Sequence, residues 1–173
     1  MIVLIGESAS GKTSIEKKLI KKGYNKIVSY TTRPMRPGEI EGKDYYFISE
    51  PEFDQKAENG FFAEKSKYKE AQYGIAREDC LDDRVVIVEP YGLGQLKRNE
   101  SLNVISFYIR VDERRRAIRM IERGDKLMDV FQRILFDQGR FQFIAEETDY
   151  IIDNHDLDTA VREITCILEA RSK

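Results

Sequence analysis

No apolar run in this 173-residue chain approaches the roughly 20 residues that cross a bilayer, so a membrane partner is not expected. The opening MIVLIG is too short for a signal-peptide core and has no basic flank. Cysteine is scarce. Cys80 and Cys166 are far apart and form no CxxC spacing, which argues against a disulfide framework or zinc ribbon and for a reduced, cytoplasmic compartment. A charge excess of either sign is also missing. With 29 basic and 31 acidic side chains the net charge is -2, whereas a dedicated nucleic-acid binder would be strongly basic. Internal repeats and low-complexity tracts are absent. The single histidine, His155, has no partner cluster for catalysis or metal binding and reads as an exposed turn residue. What remains is 41% apolar and 35% charged, enough for a solvated surface around a real core in one compact domain or a core with small insertions.

The pattern along the chain is alternating. Ile2 to Ile5 is a continuous apolar run ending at Gly6, as in a strand buried on both faces of a parallel sheet. Ile15, Leu19 and Ile20 then fall at helical spacing, with a stop near Gly23. Residues 25–29 read as a second strand. Residues 30–82 differ: they hold prolines, glycines and most of the tyrosines. There "DYYFI" reads as a short strand, Ser49 with Glu52 is a capping-box signature for a helix over 50–58, and "FFAEKSKYKEAQYGI" suggests strands with a turn. Buried strands resume at 85–89 and 103–111. Asp112 caps a helix carrying Arg114, Arg115, Arg116, Arg119 and Arg123. A second helix is predicted over 129–147, then a strand at "DYIID" and a closing helix striped by Leu157, Ala160, Val161, Ile164, Ile167 and Leu168. The fold class is α/β: a P-loop three-layer core with a doubly wound parallel sheet. The core would span 1–29 and 83–173, with a helical lid at about 112–135, and 30–82 would be a small α+β insertion.

"GESASGKT", Gly6 to Thr13, matches G-x-x-x-x-G-K-[ST] between an apolar strand and a helix, where the mechanism needs it. Backbone N–H groups at Ala9, Ser10 and Gly11 and at the helix start through Ser14 can cradle phosphate oxygens. Lys12 adds a mobile charge toward the terminal phosphates, and the Thr13 hydroxyl can ligate Mg²⁺. The motif implies nucleoside-triphosphate binding and leaves a hydrolase switch, a kinase and a motor open. Glu7, an acidic residue beside phosphates, is expected to point outward.

"SYTTRPMRPGEIEGKDYYF" places Arg33 and Arg36 each before a proline. Proline restricts its own φ and biases the preceding residue toward extended backbone. Two guanidinium forks on a stiff segment lose less freedom on clamping a phosphate. A solvated turn with two surface arginines is the alternative that composition allows.

The same segment, with Glu64 and Tyr73-Gly74 further on, resembles the acceptor signature of guanylate kinases. The glycine loop, the arginine-rich helix and "DYIIDNHDLDTA" are similar to that family too, so the likeness covers nearly the whole chain. It implies that Arg33, Arg36, Tyr45 and Tyr73 hold the phosphate of a nucleoside monophosphate. Ser29 and Glu64 would read the base. A carboxylate accepts both donors of guanine's N1 and exocyclic amine, while adenine N1 is itself an acceptor. Arg119, Arg123 and Arg133 would close over the transferred group together with Lys12, and Asn154 would lie near the donor adenine. Arg114, Arg115 and Arg116 read as a solvated helix face. Two departures from the family pattern stand out: Ile75 replaces a small hydroxyl residue, and Ile87 and Glu89 replace an Asp-x-Asp. Glu89 can still serve the amine edge or a magnesium-bound water. The implied partners are Mg·ATP and GMP or dGMP, for a cytoplasmic monomer or homodimer with no nucleic acid. A P-loop kinase with another phosphorylated acceptor and a non-catalytic phosphopeptide-binding module are the competing readings.

Overall fold

The computed structural model describes residues 1–68 and 70–171. In chain order the first elements are β1 (Ile2–Ile5), α1 (Lys12–Lys21), β2 (Asn25–Lys26), β3 (Tyr30–Thr31), β4 (Tyr46–Phe47), α2 (Glu50–Glu58), β5 (Phe62–Tyr68) and β6 (Ala71–Ala76). A 3-10 turn at Arg77–Asp79 leads to β7 (Arg84–Ile87), α3 (Pro90–Arg98), β8 (Ile105–Arg110), α4 (Glu113–Glu122), α5 (Leu127–Phe141), α6 (Ile144–Glu147), β9 (Tyr150–Asp153) and α7 (Leu157–Arg171). The turn expected between β5 and β6 falls on Lys69, which lies outside the described residues.

Strand β1 is buried along its whole length and its side chains alternate between two apolar clusters, Ile2 and Leu4 in one, Val3 and Ile5 in the other. A strand's two-residue period demands that split. The first cluster is completed by Ile15 and Leu19 of α1 and by Ala160, Val161, Ile164 and Leu168 of α7. The second takes Leu93 and Leu96 of α3, Phe141 of α5 and Ile144 of α6. Helices therefore cover both faces of a five-stranded sheet ordered β2-β7-β1-β8-β9, parallel throughout. Phe107 of β8 is fully buried in the first cluster, and truncating such a ring costs about 3–5 kcal/mol.

A second sheet, β4-β3-β6-β5, comes from the chain between β2 and β7. Helix α2 is anchored to it by Phe53, which stacks on Phe62 at 4.5 Å. The capping box forms: the Ser49 hydroxyl accepts from the Glu52 amide at 3.4 Å, and the Glu52 carboxylate accepts from the Ser49 amide at 2.8 Å. The two sheets are bridged by Gln95 of α3, whose side-chain amide bonds both the N–H and the C=O of Lys65 in β5.

Some expectations are corrected. Strand β2 stops at Lys26, although Ile27 still donates to Val85, because the chain must leave the core for the second sheet at Tyr30. The helix expected over 129–147 starts at Leu127 and breaks at Gln142–Phe143 before α6. Helix α3 was not expected, since Gly92 and Gly94 weaken helical propensity. Pro90 at its first turn is tolerated, and burial of Leu93 and Leu96 outweighs the two glycines. Arg116 is not on a solvated face. It is 4% exposed and pairs with Asp137 of α5 at 3.5 Å, because α5 covers the α4 face that carries it. Arg114 and Arg115 are exposed, as is His155, whose Nδ1 lies 3.2 Å from the Arg115 guanidinium.

Candidate functional site

The glycine loop between β1 and α1 is held in an unusual backbone shape. Ala9 has φ 60° and Gly11 φ 98°. The left-handed alanine costs about 1–3 kcal/mol and persists only where its surroundings over-determine it. Here they do. The Arg119 guanidinium donates to the carbonyls of Ala9 (3.2 Å), Ser10 (3.4 Å) and Asn154 (3.0 Å), and Asn154 Nδ2 donates to the Ser10 carbonyl at 2.7 Å. Gly11 is required twice over, by its φ and because a Cβ there would strike the Asn154 amide. Lys12 folds back across the loop and donates to the carbonyls of Gly6 (2.5 Å) and Glu7 (3.0 Å). Burial holds its ammonium below the usual lysine range, partly offset by Glu89, Asp137 and Glu7.

Ala9, Gly11, Lys12, Thr13, Ser14, Arg119, Arg123 and Asn154 line a cavity of about 360 Å³, with Leu157. Gly6 and Ser10 are not in its wall: Ser10 is fully buried, and Gly6 accepts the Lys12 ammonium from beneath. Arg123 is bonded to Asp125 at 3.0 and 2.6 Å, and Arg133 approaches the same carboxylate at 4.0 Å. The expectation for Glu7 is overturned. It turns inward, because the Tyr108 hydroxyl donates to its Oε1 at 2.9 Å, while Oε2 is buried without a partner. Asp137 lies beside it and accepts from the Ser8 amide at 2.8 Å, tying α5 to the glycine loop.

A second cavity, about 440 Å³, opens on the other side of Thr13. Ser29, Arg33, Arg36, Tyr45, Glu64, Tyr73 and Glu89 all line it, with Arg133, Ile75 and Ile87. At one end Arg33 is gripped bidentately by Glu39 at 2.9 and 2.7 Å and lies over the Tyr45 ring at 5.3 Å. Tyr73 packs edge-on to Tyr45 at 6.0 Å. Glu39 also accepts from the Arg36 amide at 2.7 Å, so one carboxylate shapes the proline-flanked turn. The Arg36 guanidinium is exposed and has no ion pair among the described residues.

Glu64 reaches the same cavity from β5. A bulge between Phe62 and Glu64 sets Glu64 opposite Ile75, the kind of re-aiming that bulges produce. Glu64 is 3% exposed and its Oε1 has no partner. Burial pushes its carboxyl up to about 7, with the Ser66 hydroxyl opposing and Glu89 adding to the rise. Gly92 makes the room, since a Cβ there would come within 2.5 Å of Oε1. Ile75, 1% exposed, belongs to the core packing of the second apolar cluster. Glu89 pairs with Arg140 at 3.5 Å, and burial raises its carboxyl.

The sequence reading passed over Glu16, Lys26, Glu39, Asp44 and Ser66 in this wall, and Asp137 behind the loop. Glu16 carried a signal: it follows Thr13 by three residues, hence shares its helix face, and it interrupts the inward stripe of Ile15 and Leu19. Asp137 carried none, because its partners are 129 and 21 residues away.

The chain is similar to known proteins over nearly its whole length. The Guanylate kinase family matches residues 1–171. Guanylate kinase of Thermotoga maritima is 34% identical over 98% of this chain and 86% of its own length. That of Wolbachia pipientis is 32% identical over 97% and 88%. A crystal structure of guanylate kinase from Anaplasma phagocytophilum superposes with a TM-score of 0.76 at 27% identity, covering 99% of this chain and 85% of that one. A gluconokinase from Sinorhizobium meliloti, at 18% identity and a TM-score of 0.51, shares the fold alone. With the family match spanning nearly every residue, and two cavities meeting at Thr13, the chain belongs to the guanylate kinase family.

Proposed function

We propose that this protein transfers the γ-phosphoryl group of Mg·ATP to GMP or dGMP, giving ADP and GDP or dGDP. The observation that carries the reading is Thr13, which borders both cavities. A donor in one and an acceptor in the other would meet end to end. A phosphate oxygen of the acceptor forms the new bond to Pγ, and the bond from Pγ to the β,γ-bridging oxygen breaks. Such transfer needs little covalent help and much positioning of positive charge.

The chain's own residues divide that work. Amides of the glycine loop and α1, with Lys12 released from the Gly6 and Glu7 carbonyls, bind the donor phosphates. Asn154 lies against the donor base. Arg33, Arg36, Tyr45 and Tyr73 clamp the acceptor phosphate. Glu64, with Ser29 nearby, accepts the two guanine donors. Arg119, Arg123 and Arg133 supply charge around the moving group. Residues 112–135 act as a lid and 30–82 as an insertion that closes with the acceptor, which excludes water.

The donor set suits magnesium. The described residues contain no group of three or more metal-ligating side chains, and Mg²⁺ bound through substrate phosphates and waters needs only one or two protein oxygens. Thr13 offers a hydroxyl there, and Glu89 a carboxylate close enough to act on Lys12. When bound, the ion neutralises charge on the β- and γ-phosphoryl oxygens.

Two free thiols and the near-neutral charge balance support a cytoplasmic monomer or homodimer without nucleic acid. Among the described residues no helix is long and apolar enough to cross a membrane. The test is ADP release with ATP and a panel of nucleoside monophosphates and sugar phosphates. GMP or dGMP should lead the panel; a sugar phosphate in first place would replace this reading by the kinase with another acceptor.

A further inference from the structure

The acceptor cavity holds a second buried carboxylate to which the function above gives no task. Glu16 is 5% exposed and lines the cavity. Its carboxylate makes no hydrogen bond or ion pair among the described residues. Burial pushes its carboxyl up to about 7, with Lys26 and Lys17 pulling it down and Asp44 adding to the rise. The side chain that could neutralise it is engaged elsewhere, for the Lys26 ammonium donates to the carbonyls of Lys43 and Asp44 at 3.0 and 3.1 Å. The Glu16 oxygens are not fully enclosed, so the carboxylate opens onto the cavity, where a donor from outside the chain can reach it and offset the cost of its burial.

The neighbours say which part of a ligand that is. Glu16 shares the cavity wall with Arg33 and Tyr45, residues of the proposed phosphate clamp. Glu64, by contrast, has Ser66, Glu89 and Gly92 around it, and the two carboxylates share none of these neighbours. A phosphate is an anion and would be repelled by Glu16. The guanine donors are taken by Glu64. The donors of a nucleoside 5′-monophosphate that remain are the sugar hydroxyls, on the ring that joins the base to the phosphate.

We propose that Glu16 accepts a hydrogen bond from a ribose hydroxyl of the acceptor nucleotide and thereby sets preference for the ribo form over the deoxy form. The proposal rests on the kinase reading and adds a sugar specificity to it. Glu16 is a substrate-binding residue in this account and takes no part in the bond exchange at Pγ. A hydrogen bond to a charged group is strong enough to give discrimination of about tenfold to a hundredfold.

The experiment compares kcat/KM for GMP, 2′-deoxy-GMP and 3′-deoxy-GMP in the unaltered protein, Glu16→Leu and Glu16→Gln, at saturating Mg·ATP. The unaltered protein should favour GMP over at least one deoxy form by about tenfold or more. Glu16→Leu should collapse that ratio to within about threefold, and Glu16→Gln, which keeps a neutral acceptor, should land between. Should the buried leucine prevent folding, the Gln variant alone carries the comparison. An unchanged ratio in both variants overturns the proposal. So does a change only in the Mg²⁺ concentration needed for half-maximal rate, which would make Glu16 part of the donor side. If the unaltered protein phosphorylates none of the three, the kinase reading itself has failed, a result distinct from GMP turnover with no sugar preference.

Discussion

The two cavities that meet at Thr13 treat their polar groups in opposite ways. On the donor side nearly every one is occupied by the chain itself. Lys12 is bonded to Gly6 and Glu7, Arg119 to three carbonyls, Arg123 to Asp125, and Asn154 to Ser10; Asn154 Oδ1 and Glu7 Oε2 are buried exceptions. On the acceptor side, Glu64 Oε1 has no partner and Glu16 makes no bond. Arg33 is engaged, but by Glu39 from its own turn. The lesson is energetic. The donor loop is pre-organised, so little reorganisation is needed when phosphates bind beyond releasing Lys12. The other cavity keeps buried carboxylates without a partner from the chain, and on the proposed function their stabilisation would come from the ligand, which would make that side selective.

The comparison can be broken most severely at Lys12. In Lys12→Ala the transfer rate should fall by about a thousandfold, the upper end for losing one preorganised charged donor, while the thermal midpoint stays near that of the unaltered protein. The folded state should tolerate the loss because burial already penalises the ammonium. A midpoint that collapses along with the rate would mean that Lys12 holds the loop together, and the donor side is then not independently formed.

Next in size is Glu64→Ala, with kcat/KM for GMP expected to drop about a hundredfold or more through two lost charge-assisted hydrogen bonds. The KM for ATP should move by less than about twofold, since sites without shared partners behave additively. Unchanged GMP kinetics would falsify the base-reading role.

The pH dependence sharpens the contrast further. Glu16 and Glu64 both have carboxyls raised from an ordinary 4.5 to about 7. Between those values the folded protein binds more protons than the unfolded chain, so unfolding free energy falls as pH rises from about 4.5 to about 7. The penalty is fully present above 7, on the order of 3 kcal/mol for each carboxyl. Denaturant melts of Glu64→Gln should show a shallower decline across that window and a more stable protein at pH 8. The KM for GMP should also fall from pH 6 to pH 8, because the base-reading form of Glu64 is the ionised one. A slope identical in the variant would place the titrating groups elsewhere.

The smallest effect is expected at Asp125. Its pairs with Arg123 and Arg133 are partly exposed, and such pairs contribute about 0–1 kcal/mol. Asp125→Ala should shift the melting free energy by no more than that, while freeing both guanidinium groups; a severalfold rise in turnover would identify this carboxylate as a brake on the lid arginines.

The local features around the two cavities were legible in the sequence. Glycine, lysine and threonine at fixed offsets between a buried strand and a helix define a phosphate loop, because each offset answers a backbone requirement within a few residues. The capping box at Ser49 and the proline-flanked arginines are local in the same sense. Glu7 and Arg116 were misjudged because the groups that turn them inward, Tyr108 and Asp137, are distant in sequence. Helix α3 was missed because its glycines speak locally while its leucines answer to the core.

The sequence by itself determined the glycine loop between β1 and α1 and the capping box at Ser49, since both depend on short-range backbone geometry. Only the tertiary structure decided which carboxylates are buried without a hydrogen-bond partner from the chain. Desolvation depends on everything packed around a group. At Glu64 it required a bulge in β5 and the bare backbone of Gly92 on α3, and at Glu16 a segment at Lys43–Asp44 that holds Lys26 away.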